Sequence, residues 1–302
     1  MKIAILEKTN FNKEQIEKLK KVGEVDFYDN LSQEQANVLA PQYDIVVVNW
    51  LDPTPFLLNM KQGSLVALLS TGYGWITNIN EAMKKQIYVS NIPNYSTEAV
   101  AEHLLGLLLG VSKNIFPTLN NENNGVVGFE LKNKTVGIIG LGDIGLRFAE
   151  IMNFFGSNII TNNRNNKNNI IAQDVSLDHL LSHSDIICIT CSVNSTSQNL
   201  INASNYEKIK KGAVIIGSTW GIIDETIIDK MISENIVSNI SLDAAIEANS
   251  KLVNDNCNKE RIFFTPHIAY NTKESEMRQL DICVDNIVSF INGEPKNIVN
   301  NI

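Results

Sequence analysis

The 302-residue sequence is poor in cysteine, has no block of positive charge and contains no long apolar run. Four cysteines, Cys188, Cys191, Cys257 and Cys283, are too few and too scattered for the disulfide framework of a small secreted domain. Cys188 and Cys191 do form a C-x-x-C, but the surrounding "DIICITC" reads as a strand, on which positions three apart face opposite ways. A shared metal or redox centre needs converging sulfurs and is not expected there. Lys and Arg number 25 against 33 Asp and Glu, a net charge of −8, which argues against nucleic acid or an anionic membrane surface as partner. No stretch approaches the ~20 apolar residues that cross a bilayer. The most apolar segment, "LLGLLLGV" at 104–111, is flanked by Glu98, Glu102 and His103, and the apolar start "MKIAILEKTN" is too short for a signal peptide. A soluble, cytoplasmic protein is expected.

What is present is a globular pattern. Hydrophobic residues make up 44% of the chain, enough for a sizeable core, and the length suits two domains. Short apolar runs alternate with helical stretches: "KIAIL" (2–6), a helix near 13–22, "VDFY" (25–28), "DIVVV" (44–48), "LVALL" (65–69) and "IYVS" (87–90). Repeated strand, helix, strand implies a parallel sheet covered by helices. A long helix then follows in "NIPNYSTEAVAEHLLGLLLGVSKN" (91–114), capped by Ser96 or Thr97 and apolar on nearly every side, as in a helix buried between domains or subunits. Alternation restarts with "TVGIIG" (135–140), "SNIIT" (157–161), "DIICIT" (185–190), "GAVIIG" (212–217), "NISLD" (239–243) and "RIFF" (261–264), a second parallel sheet. The last helical stretch (274–293) follows neither run of strands and is expected to cross back to the first domain.

Gly140, Gly142 and Gly145 form G-x-G-x-x-G between an apolar strand and an amphipathic helix. That context marks a dinucleotide site: the first glycine permits the tight turn, the second lets backbone approach a pyrophosphate, and the third lets helix and strand pack closely. The phosphates lie at the helix N-terminus, beside Asp143 and Ile144. About twenty residues on, an NAD-specific site carries an acid for the ribose 2′-hydroxyl. Here the chain reads Asn162, Asn163, Arg164, Asn165, and a neutral amide followed by a guanidinium suits a 2′-phosphate, so NADP(H) is favoured over NAD(H).

The chain as a whole resembles the D-isomer-specific 2-hydroxyacid dehydrogenase family. The resemblance rests on "STGYGWITN" (70–78), "NIPNYSTEAVAEHLLGLLLG" (91–110), "KTVGIIGLGDIG" (134–145), "KKGAVIIGSTWG" (210–221), "SLDAA" (241–245) and "FFTPHIAYNT" (263–272). It implies an α/β protein of two doubly wound parallel-sheet domains. A flavodoxin-like substrate domain would comprise 1–95 and 272–302, with an inserted Rossmann cofactor domain over 96–271 and the substrate in the cleft. Homodimers are typical of the family. Its chemistry is hydride transfer between nicotinamide and the substrate's α-carbon, coupled to a proton moved by a histidine, matched here by His267. Asp243 matches the residue that bonds the nicotinamide carboxamide, Cys191, Ser218 and Thr219 fall at cofactor-contacting positions, and Thr71, Gly72 and Tyr73 match the turn whose amides receive the substrate carboxylate.

Two departures stand out. The glutamate that polarises the histidine follows the aspartate by five residues in the family; that position is Ala248, with Glu247 one place early. The family's substrate-gripping arginine is replaced by Trp220, in "GSTWG", followed by a stretch one residue short. An indole has one N–H donor and no charge, so it cannot reproduce a bidentate grip on a carboxylate. Three readings follow: a reductase of a bulkier, less anionic substrate that packs on Trp220, a 2-keto acid reductase rescued by another cation, or a nucleotide-binding sensor or interaction protein.

Overall fold

A computed structural model describes residues 1–119, 127–164, 171–243 and 261–300 of the chain. They fall into two compact units, one of residues 1–96 with 272–302 and one of residues 97–271.

The first unit is a five-stranded sheet of β1 (Lys2–Ile5), β2 (Glu24–Phe27), β3 (Ile45–Val48), β4 (Leu65–Leu68) and β5 (Tyr88–Ser90), ordered β2-β1-β3-β4-β5. Every pairing is parallel. The central strands "IVVV" and "LVAL" are buried at every position, as expected where helices cover both faces. Between the strands run α1 (Lys13–Val22), α2 (Gln33–Leu39), α3 (Thr54–Leu57) and α4 (Ile79–Lys84). Asn12 and Gln15 close a reciprocal capping box that starts α1.

The second unit opens with α5 (Thr97–Ser112) and α6 (Ile115–Leu119). Its sheet has seven strands: β6 (Thr135–Ile139), β7 (Asn158–Asn162), β8 (Gln173–Asp174), β9 (Ile186–Ile189), β10 (Ala213–Gly217), β11 (Val237–Asp243) and β12 (Ile262–Thr265). Their order is β12-β11-β10-β9-β6-β7-β8, again all parallel. The sheet therefore has one strand, β8, more than the alternation of apolar runs foretells. Its helices are α7 (Asp143–Phe154), α8 (Leu177–His183) and α9 (Ile228–Ser233). Alternate residues of each strand enter opposite cores: Val136, Ile138 and Cys188 join Leu104, Leu108 and Phe148 on one face. Ile139, Ile187 and Ile189 join Leu180 and Met231 on the other.

The C-terminal helix α10 (Lys273–Ile291) belongs to the first unit. Thr272 caps it, Gln15 of α1 donates to its Asp281 (2.7 Å), and its Arg278 donates to the Tyr95 carbonyl (2.8 Å). Beyond it the buried Asn300 amide accepts from the Val89 N–H and donates to the Ile87 carbonyl, fastening the chain end to β5. Among the described residues no helix is long and apolar enough to cross a membrane.

Candidate active site

The strand order of the second unit reverses direction between β6 and β9, and the glycine turn leaves β6 at that point. Ligands bind open α/β sheets outside the carboxyl ends of strands at such a reversal. Gly140 has φ +95° and lies so close to Cys191 that a Cβ there would sit 2.6 Å from the cysteine's own Cβ. The Thr190 hydroxyl donates to the Gly140 carbonyl (2.7 Å), locking the turn. A Cβ on Gly145 would lie 2.4 Å from that same carbonyl oxygen, so close packing of α7 on β6 requires glycine there. Gly142 differs: no atom lies within 4 Å of its notional Cβ. As the N-cap of α7 it supplies no side-chain cap to the first-turn amides of Asp143, Ile144 and Gly145. Open space over the second glycine and uncapped amides beyond it are what a pyrophosphate requires, so these residues fit a dinucleotide.

Cys191 lies past the end of β9, not on it, because the strand stops at Ile189. The C-x-x-C thus joins a fully buried strand residue to a loop residue beside the glycine turn. Burial pushes the thiols of both Cys188 and Cys191 upward.

After β7, the Asn163 amide is used within the protein. Its oxygen accepts from the Leu141 N–H of the glycine turn, and its nitrogen donates to Thr161 Oγ1 and Asp174 Oδ1, each at 3.2 Å. Asn163 therefore braces the turn. The exposed Arg164 donates through Nη2 to Asn194 Oδ1 (2.9 Å) and to Thr196 Oγ1. Asn165 and Glu247 lie outside the described residues.

At the end of β10, the Ser218 N–H donates to the Ile189 carbonyl (3.1 Å), and Ser218 and Thr219 are half-buried. Trp220 is also half-buried: its ring meets Phe264 edge-on, with centroids 5.7 Å apart, and packs against the core between α9 and the sheet. Its single donor, Nε1–H, points to Glu225 Oε1 at 2.9 Å. The short turn thus places a carboxylate against the residue that stands where the resemblance expects a guanidinium. Glu225 could be suspected from sequence only as an acid five residues beyond Trp220.

Asp243 ends β11 with 1% of its surface exposed, and its carboxylate accepts three hydrogen bonds. These come from Thr265 Oγ1 (2.6 Å), the Ile268 N–H (2.9 Å) and the Ala269 N–H (2.8 Å). Its contacts span the loop that carries His267, an exposed residue with φ +55° whose ring meets Tyr270 at 5.7 Å, nearly perpendicular. Burial, with a smaller push from the Asp243 carboxylate, raises the Tyr270 phenol.

In the first unit Thr71, Gly72 and Tyr73 follow β4. Their carbonyls accept from Asn91 Nδ2 (2.7 Å), Ser70 Oγ (2.9 Å) and the Ile76 N–H (3.1 Å), respectively. The Thr71 hydroxyl donates to the Ile92 carbonyl (3.0 Å). Their own N–H groups have no hydrogen-bond partner among the described residues. Tyr73 and the nearby Trp75 are exposed. A neighbouring set of amides, of Asn49, Trp50 and Leu51 after β3, is occupied by the Glu7 carboxylate, an arrangement that no motif announces.

The sequence pattern described as "D-isomer specific 2-hydroxyacid dehydrogenase, NAD binding domain" matches residues 105–269. The chain is 30% identical over 310 residues to a hydroxypyruvate reductase of Blautia hydrogenotrophica, covering 93% of this chain and 94% of the relative. A glyoxylate reductase of Aeropyrum pernix is 30% identical over 78% of this chain and 76% of its own. Among solved structures, an acyclic imino acid reductase in complex with NADPH and D-Arg superposes with a TM-score of 0.88 and 25% identity, covering 99% of this chain and all of the other.

Proposed function

The chain belongs to the D-isomer-specific 2-hydroxyacid dehydrogenase family, and from that premise we propose an NADP(H)-preferring reductase whose substrate is not a plain 2-keto acid and whose proton donor is His267. Membership itself makes the protein a nicotinamide-dependent oxidoreductase. The proposed division of labour gives the nucleotide to the unit of residues 97–271, and substrate-receiving amides to the unit of residues 1–96 with 272–302. A homodimer is the proposed assembly, testable by light scattering.

A nicotinamide nucleotide held at the turn of Gly140, Gly142 and Gly145 would supply the hydride when bound. The chain's own residues supply the rest. His267 delivers a proton to the oxygen or nitrogen on which negative charge develops. The amides of Thr71, Gly72 and Tyr73, without a hydrogen-bond partner among the described residues, receive a polar end of the substrate, and Tyr73 and Trp75 offer apolar contact.

The observation that carries the substrate reading is the Trp220–Glu225 hydrogen bond. Trp220 has no second donor to offer, and the acid beside it disfavours a carboxylate by like charge. A neutral or cationic group is the better match. The likeness to a reductase crystallised with NADPH and D-Arg supports testing amino-bearing substrates and imines. Arg164 supports NADP(H), since a guanidinium follows β7 at the place in the sequence where an NAD-specific site carries an acid.

The experiment is oxidation of NADPH and NADH by the purified protein against glyoxylate, hydroxypyruvate and pyruvate, and against uncharged ketones, aldehydes and imines of basic amino acids. The expected result is kcat/KM at least about tenfold higher with the second group and with NADPH, and a loss of about 100-fold or more in His267→Gln. Best turnover with glyoxylate or NADH overturns the corresponding part. Nucleotide binding without turnover of any compound would favour the sensor reading.

A further inference from the structure

We propose that His103 and Thr265 are positioning residues for His267, acting through the Asp243 carboxylate. The inference rests on reading His267 as the proton donor. The parallel register of β11 and β12 sets Asp243 directly beside Thr265, the last residue of each strand. From α5, His103 reaches the same point, with Nε2 2.9 Å from Thr265 Oγ1 and 3.8 Å from Asp243 Oδ1.

The order of donors follows from the inventory of each group. A carboxylate only accepts, so the Thr265 hydroxyl proton is directed to Asp243 Oδ1 at 2.6 Å. The hydroxyl oxygen must then accept from His103, which fixes a proton on Nε2 of that imidazole. The links converge on the carboxylate: His103 donates to Thr265 and Thr265 to Asp243 from one side, and the amides of Ile268 and Ala269 donate to Asp243 from the other. Thr265 and Ile268 flank the turn, and the His267 N–H donates to the Thr265 carbonyl (2.9 Å).

His267 occupies the left-handed region at φ +55°, where a residue with a Cβ is held only if its surroundings over-determine it. The carboxylate supplies that constraint on its C-terminal side, and the Thr265 carbonyl on its N-terminal side. A hydroxyl shared by Asp243 and His103 orients the carboxylate in turn, and a chain of polarised hydrogen bonds in a buried place is stiffer than its separate members. Without the links from His103 and Thr265, the carboxylate is held by the Ile268 and Ala269 amides alone, and the aim of the imidazole loosens.

The test compares Thr265→Val, His103→Leu and His103→Gln with wild type and His267→Gln. Glutamine presents an N–H where Nε2 stands, so it is the conservative replacement. In protein labelled at histidine, the His267 ring signal is identified by its loss in His267→Gln, and its ring-current shift reports the 5.7 Å contact with Tyr270. That signal is expected to move in Thr265→Val and His103→Leu and to return in His103→Gln, with all variants unfolding cooperatively. On the best substrate found, kcat should fall about tenfold in the first two while KM for NADPH stays within about twofold. An unmoved His267 signal in both Thr265→Val and His103→Leu overturns the proposal, as does failure of His103→Gln to restore it. If His267→Gln keeps full turnover, the acid assignment fails instead, and the ring signal still decides the positioning.

Discussion

Replacing Trp220 by arginine asks whether one residue sets the substrate class. A charged donor aimed at a reacting oxygen is worth ~3 kcal/mol, or about 100-fold in rate. The indole nitrogen lies 2.9 Å from Glu225 Oε1, so a guanidinium at position 220 starts within reach of that carboxylate. An exposed ion pair of that kind holds up to ~1 kcal/mol, roughly a fivefold penalty. Trp220→Arg should therefore raise kcat/KM for glyoxylate about 20-fold, and Trp220→Arg with Glu225→Gln about 100-fold. Both variants lose the edge-on contact with Phe264, worth ~1 kcal/mol, so a fall of about 2–4 °C in Tm is expected. The assay is nicotinamide absorbance with glyoxylate and NADPH, alongside a thermal scan. Folded variants that gain less than about twofold would refute the idea that residue 220 sets the substrate class.

The glycines of the cofactor turn should separate cleanly. Gly142→Ala points a methyl into open space, so Tm without nucleotide should hold, while the thermal shift produced by NADPH disappears. Gly145→Ala drives a methyl to 2.4 Å from the Gly140 carbonyl and should cost ~1–3 kcal/mol even without nucleotide. Arg164→Ala should raise the Kd for NADPH about tenfold and leave that for NADH unchanged, as read by fluorescence titration; equal losses for both would remove Arg164 from cofactor choice. The backbone amide of Lys2, with Lys61 adding to it, holds the Asp44 carboxyl below its usual range. A carboxylate with a lowered folded pKa stabilises above its unfolded value, and that contribution is lost as pH falls through the folded one. Asp44→Asn should thus be ~1 kcal/mol less stable near neutral pH and converge with wild type in acid, measured by urea unfolding across pH.

Much of the fold was legible because it is written locally. Strands buried on both faces need unbroken apolar runs, and "IVVV", "LVAL" and "AVIIG" show them. The glycine spacing was legible because each glycine answers a separate steric demand. Strand β8 escaped notice because two polar residues, Gln173 and Asp174, carry no alternation and join the sheet only through the neighbour β7 provides. Asn163 illustrates a different limit: an amide after a strand reads as a ligand contact, but β7 lies beside the glycine turn, and that turn uses the amide first.

By itself, then, the sequence determined the two parallel sheets, the dinucleotide turn and the substitution of an indole for a guanidinium, since each depends on residue type and spacing along a few turns of chain. Tertiary structure decided where the polar atoms are spent. Trp220 gives its donor to Glu225, Asn163 to the interior, and His103 meets Thr265 across 162 residues of chain. The physical reason is that a hydrogen-bonding group takes the partner that the packed strands bring within about 3 Å, and that proximity is a property of strand order and register.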